Sequence, residues 1–513
     1  MYKQMKVFSI LIFVGFLATG CGGGGGTPGG GGTPGGGGSA SPTFLFYNSG
    51  SISRVDPANP TAAPVVVEAG NTDWETTIMH GTLDVPNKRI SNLQDRTLVY
   101  LNTDDGKLYK ISALKTDSQI PVQISNEAGL SSMMCDLDWE SDISNHEKSV
   151  FFYRLTGGDG LCFTGDDVLK MVRLEMGASD SPIIVSPKDF ETALFDNTTG
   201  AITGFLAFDG NTLVRCNENF QACKDVSTFS TSAEEVWSNF ANDAILRIDD
   251  KLFHYDITSE TLSAPLHTFS GSFPSFVNIA GGETTMFFAD GDQIFKLSMD
   301  GSAPAASFVT ESGSTFSQIT RTVNKVVYHA QKGSTSVIKA VNFSGGTATT
   351  LVPSTSDSLG LFASTSGGFV MYSRDTPADV TSRGLVKDDG TENSEIANAL
   401  WTGFTVSAFS ADGAVLDRLV WIEGCLSVVP FCAGGSINSV DAANNNALVL
   451  GTVPDDIMFM SLFGIFGGQN GILGWGIDDE GSEGEVFFVK ADEVNSLTRI
   501  TNTPNISEST FFF

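Results

Sequence analysis

Short apolar runs separated by Gly/Asp turns fill the chain from residue 43 onward, and the stretch Thr284 to Thr310, TTMFFADGDQIFKLSMDGSAPAASFVT, shows them most clearly. Met286 to Ala289, Gln293 to Ser298 and Ala306 to Thr310 read as β-strands, because aromatic and β-branched residues fit a pleated surface. The turns between them are rich in Gly, which accepts positive φ, and Asp, which bonds its own main chain. Relatives of this unit recur roughly every 40 to 55 residues, the period of a propeller blade. A β-solenoid has shorter rungs, and a sandwich has no reason to repeat so often.

The leading strand of the unit occurs ten times, at Phe44 to Tyr47, Leu98 to Leu101, Val150 to Tyr153, Phe205 to Phe208, Ala244 to Ile248, Met286 to Phe288, Val326 to His329, Phe369 to Tyr372, Leu419 to Ile422 and Ile472 to Trp475. The strand after it carries a base at a fixed place: Arg54, Lys110, Lys170, Arg215, His254, Lys296, Lys339, Lys387 and Lys490, with Ser439 as the exception. Packed between neighbouring sheets, a long basic side chain lays its stem on apolar surface and sends its head to a carboxylate or carbonyl. The competing reading is a ring of cations lining a channel for an anionic ligand.

A third strand follows, clearest at Ala63 to Glu68, Pro121 to Ser125, Pro182 to Ser186, Ala348 to Val352, Ala447 to Val453 and Leu497 to Thr501. An alternating segment such as Phe273 to Ile279, Thr315 to Thr320 or Leu359 to Ala363 lies between units and makes four strands per repeat. The first unit lacks that segment, while the tail Ser507 to Phe513, SESTFFF, has no unit of its own. The expected fold is therefore all-β, a β-propeller of about ten four-stranded repeat units spanning 43–513. Either it forms one large ring whose C-terminal strand pairs into the first blade, or it divides into two smaller rings.

Residues 1–20 have the parts of an export signal: Lys3 and Lys6, the apolar run Val7 to Leu17, then Ala18, Thr19 and Gly20. The apolar run is too short to span a bilayer. Leu17-Ala18-Thr19-Gly20-Cys21 resembles the lipobox of bacterial lipoproteins, with Leu one place earlier than usual. That resemblance implies lipidation at Cys21 and, because Gly22 follows it, sorting to the outer membrane. Residues 21–42 form a linker in which 22–38 are Gly broken only by Thr27-Pro28 and Thr33-Pro34, a composition that cannot fold and has a reach of about 20 to 25 Å. The expected location is the cell envelope, on the periplasmic face or the cell surface.

Charge narrows the partners. The chain carries 29 basic and 59 acidic side chains, a formal net charge of −30. Such a surface repels phosphate backbones and anionic headgroups, which argues against nucleic acid and leaves the lipid as the membrane contact. Beyond Cys21 six cysteines remain, an even set in an exported chain, and they read as disulfides Cys135–Cys162, Cys216–Cys223 and Cys425–Cys432. In the loop Gly157 to Asp167, GGDGLCFTGDD, Asp159, Asp166 and Asp167 offer oxygen ligands to calcium, although Asp and Gly there also serve as plain turn residues.

Phe409-Ser410-Ala411-Asp412-Gly413 followed by Arg418-Leu419-Val420-Trp421 is similar to the repeat motif of TolB-like propellers, with Ala411 where that family has proline. The resemblance extends loosely over 43–513 and implies the propeller fold among bacterial lipoproteins. Histidine is scarce, namely His80, His146, His254, His267 and His329, and the chain has no GxSxG elbow, Walker loop or HExxH. The expected function is a non-catalytic scaffold binding an envelope protein or a glycan. The alternative is a carbohydrate-active hydrolase or lyase that uses paired loop carboxylates.

Overall fold

A computed structural model describes the chain between residues 44 and 512. It leaves out 70–76, 90–95, 126–133, 139–149, 174–182, 196–201, 400–408, 424–434, 501–509 and shorter gaps. The described residues are all-β, with no helix among them. Besides two two-stranded hairpins, they form ten antiparallel sheets in chain order: the first over 45–68, the second over 77–123, the third over 134–184, the fourth over 189–228 and the fifth over 233–268. The sixth covers 277–310, the seventh 315–355, the eighth 358–399, the ninth 418–452 and the tenth 457–499. Eight are four-stranded, the fifth has five strands and the ninth has three. All ten leading strands expected from the sequence lie in these sheets, one in each.

The sixth sheet shows the local logic. Val277–Ile279, Thr285–Asp290, Gln293–Ser298 and Ala306–Thr310 pair in succession as an antiparallel meander. Side chains on a strand alternate between faces, and here both faces are covered. Met286, Phe288 and Leu297 pack with Ile245 and Leu252 of the fifth sheet. Phe287, Ala289 and Ile294 pack with Phe316, Tyr328 and Val341 of the seventh. The run Met286-Phe287-Phe288-Ala289 is therefore unbroken by polar residues because it feeds two cores at once.

The same face-to-face stacking joins the third sheet to the fourth, the fourth to the fifth, and the seventh to the eighth. Ile52 of the first meets Tyr100 and Ile111 of the second. Each largely buried Leu, Ile or Phe in these interfaces contributes about 1.5 to 3 kcal/mol of transfer free energy.

The first sheet is completed from far away. Strand Leu45–Asn48 pairs on one side with Ile52–Val55 and on the other with Thr510–Phe512, in the register Phe46 to Phe512, Tyr47 to Phe511 and Asn48 to Thr510. The pairing expected for the SESTFFF tail is present.

One detail differs from the sequence reading. The outer strands of the second and third sheets are short, Val122–Gln123 and Ile183–Ile184, because Pro121 and Pro182 have no N–H to extend the ladder. Phe409–Ala411 forms a separate hairpin with Ala414–Leu416.

Candidate functional site

The basic position of the repeat is where the sequence placed its sharpest chemistry. Its side chains do not share one direction. Lys296 pairs across the ladder with Phe287, so both face the seventh sheet, where the Lys296 Nζ donates to the Phe343 carbonyl at 3.1 Å. Lys339 pairs with Tyr328 and so faces the other way, toward the sixth sheet. Its Nζ lies 2.6 Å from Glu311 Oε1, which also accepts from the Tyr328 hydroxyl at 3.0 Å.

Arg215 donates to the Thr203 carbonyl at 2.9 Å and to the Cys216 carbonyl, and burial lowers its pKa. Arg54 lies 4.3 Å over the Phe44 ring. Lys490 bonds Glu493 within its own hairpin at 2.7 Å. Each of these heads is engaged with a nearby carboxylate, carbonyl or ring, as expected for a stem lying between packed sheets.

Three histidines are described, each differently placed. The buried His254 ring lies against Gly301, where φ is +64° and an added Cβ would come within 2.4 Å of the imidazole. His267 Nε2 lies 3.0 Å from Asp290 Oδ2 among the rings of Phe269, Phe288 and Phe295. Asp290 also accepts from the Ser270 hydroxyl at 2.7 Å and from the Ser270 amide at 3.1 Å.

The carboxylate thus sits between hydroxyl and imidazole. A nucleophilic serine needs its hydroxyl on the imidazole, so this group is a clasp between the fifth and sixth sheets. Asp249 repeats it one sheet earlier, accepting from Ser230 and Thr231, in the connection that leaves the fourth sheet, at 2.6 and 2.7 Å. His329 is 5% exposed; its Nδ1 is hydrogen-bonded to Ser317 Oγ, and its Nε2 has no hydrogen-bond partner. Burial lowers its pKa. His80 falls on a strand whose side chains are not described, and His146 lies outside the described residues.

In the loop expected to offer calcium ligands, the Asp159 amide donates to Asp166 Oδ2 at 3.2 Å and the Leu161 amide to Asp159 Oδ1 at 2.8 Å. An added Cβ at Gly157 would fall 2.3 Å from Asp166, so glycine there lets the loop fold over that carboxylate. These carboxylates hold backbone amides, the ordinary work of Asp in a turn. Asp167 sits beside them at the start of the next strand. Among the described residues no three His, Cys, Asp or Glu side chains form a group that could hold a metal ion.

The disulfide Cys216–Cys223 is formed, closing the loop between the third and fourth strands of the fourth sheet. Cys21, Cys162, Cys425 and Cys432 lie outside the described residues, and of Cys135 only the backbone is described.

The exposed surface is asymmetric in a way the charge pattern did not announce. Large aliphatic side chains stand open to solvent at Val65, Val66, Ile120, Val122, Leu161, Ile184, Val449 and Val494. All eight belong to the first, second, third, ninth and tenth sheets. Among the described residues none belongs to the fourth through eighth.

The outer strands of the fourth, seventh and eighth sheets carry Lys224 and Asp225, Pro353, and Glu395, charge and proline that guard an edge from pairing, whereas Ala306–Thr310 of the sixth carries neither. In the first sheet Glu68 is turned aside: its Oε2 accepts from the buried Tyr100 hydroxyl of the second sheet at 2.7 Å. The available signal in the sequence was Pro64-Val65-Val66, Pro121-Val122 and Pro182-Ile183-Ile184, a proline followed by bare aliphatics at the outer strand of three successive units.

No family model and no curated protein matches the chain. Solved structures similar to it include dipeptidyl peptidase 4 of Porphyromonas gingivalis, 9% identical, covering 84% of this chain and 60% of that one with a TM-score of 0.43. A prolyl endopeptidase is 10% identical over 82% of this chain and 56% of its own, with a TM-score of 0.38. A eukaryotic initiation factor is 10% identical over 64% of this chain and 93% of its own, with a TM-score of 0.33. The chain thus spans little more than half the length of either peptidase, and at these scores no activity or substrate carries over.

Proposed function

We infer that the chain is a β-propeller, its ten sheets arranged as one ring closed through Thr510–Phe512, and that it acts as a non-catalytic binding scaffold tethered to the cell envelope by a lipidated Cys21. The stacking of the first sheet on the second and of the third through the eighth in succession, with the pairing of the two distant chain segments, supports the ring. The single observation that carries the binding role is that the open aliphatic side chains among the described residues all fall on the first three and last two sheets, with Val65 and Val66 adjacent on one outer strand.

The polar groups of the repeat support the same reading. Arg215, Lys296, Lys339, Asp249 and Asp290 are engaged within and between sheets, leaving the outer strands as the surface to be read. The test is photo-crosslinking in intact cells. A crosslinker at Ile120 should capture a discrete envelope partner, and one at Ser302, in a hairpin of the sixth sheet, should not. Equal capture from both positions, or from neither, would remove the scaffold reading. Mass spectrometry of the native protein should find a diacylglyceryl group on Cys21.

A further inference from the structure

The outer strand Val65–Glu68 terminates the first sheet, with Ile52–Val55 on one side and no strand on the other among the described residues. A terminal strand presents main-chain N–H and C=O groups along its free edge, a template on which another extended chain can pair. Val65 and Val66 are 49% and 55% exposed. The one charged side chain of the strand, Glu68, is held by Tyr100. Val122 and Ile184 repeat the exposed aliphatic on the outer strands of the next two sheets.

Free main-chain groups and aliphatic side chains together select an extended polypeptide. A lipid surface satisfies the side chains but not the amides, and a glycan satisfies the amides but not the valines.

Charge selects the kind of polypeptide. The run 61–70 holds Glu68 and no Lys or Arg, and Arg54, opposite Val65 in the ladder, is engaged over the Phe44 ring, all within a chain of net charge −30. A second copy of so acidic a chain is repelled, whereas a cationic segment is drawn in. We propose that Val65–Glu68 is a strand-addition site for an extended, basic, aliphatic polypeptide segment. The inference rests on the scaffold reading and names the class of its partner.

The test uses the full chain and a synthetic octapeptide alternating lysine and valine, with its glutamate–valine counterpart as control. The lysine peptide should bind saturably, more weakly as salt rises, and an isotope-edited infrared amide band should show it extended when bound. The variant Val65→Thr/Val66→Thr keeps the strand-forming tendency and removes aliphatic surface; it should bind about tenfold more weakly, with an unchanged melting temperature as the check on folding. The variant Val449→Thr should bind as the wild type does.

Equal affinity for both peptides, or no loss in the double variant, would overturn the proposal. So would co-sedimentation with phosphatidylethanolamine vesicles that depends on Val65 and Val66, or their burial in a dimer seen by sedimentation. Failure here with successful capture from Ile120 in cells would leave the scaffold reading standing.

Discussion

Burial at His329 makes its protonation costly. The ring is nearly enclosed, Nδ1 is bonded to Ser317, and Nε2 has nothing to receive a second proton's charge. Its lowered pKa means that the folded state favours the neutral ring. The resulting stability is intact above the unfolded-state value of about 6.5 and is lost as pH falls below it. Thermal melts at about pH 7 and about pH 5 should therefore show a larger drop for the wild type than for His329→Gln, and equal drops would contradict this account.

Asp300 is also shifted downward, but there the fold favours the charged form. The Ser298 hydroxyl, then the Ser302 hydroxyl and amide, hold its carboxyl down at about 2. Its contribution is present above about 3.9 and lost only as pH falls through about 2. Solvent screening keeps that contribution small at an exposed hairpin.

Between elements, the clasps at Asp249 and Asp290 tie the outer part of one sheet to the second strand of the next. Asp290 is nearly buried and serves three donors, two of them from Ser270. Asp290→Ala should cost on the order of 2 to 3 kcal/mol in denaturant unfolding, and Asp290→Asn less, because charged acceptors hold their donors more strongly. Lys296→Met should cost about 1 kcal/mol, keeping the stem and losing the bond to Phe343.

The strands themselves were legible because period-2 runs and Gly/Asp turns are local signals. The runs MFFA and FLAF also announced burial on both faces. The direction of the basic position was not legible. Lys296 and Lys339 follow two-residue turns in matching sequence contexts, yet Lys296 is the fourth residue of its strand and Lys339 the fifth, and that one-residue step turns Lys339 to the opposite sheet. Nor were the clasps legible, since Ser270 meets Asp290 only through stacking. The open valines were overlooked because an edge strand and a covered strand have the same composition until the neighbours are known.

At the scale of the molecule, two cross-links set stability. Reducing Cys216–Cys223, which spans a sequence separation of 7, should lower stability by about 2 to 3 kcal/mol through the entropy of a short closed loop, seen as an earlier melt with reductant and none in Cys216→Ser/Cys223→Ser. Removing 510–513 takes away the strand beside Leu45–Asn48. The melting temperature should then fall by several degrees for each kcal/mol lost, less in a chain this long than in a small domain. An unchanged melt would refute closure of the ring.

That same pairing also sets a timetable. Synthesis delivers Phe46 to Asn48 hundreds of residues before Thr510 to Phe512, so one flank of the earliest sheet must wait, bare and sticky, while everything between is made and moved. Contacts of such long range make for slow completion and prolonged exposure to mispairing. A holding chaperone that shields Leu45–Asn48 until translation reaches the far segment would raise the yield more than any improvement in the middle of the chain.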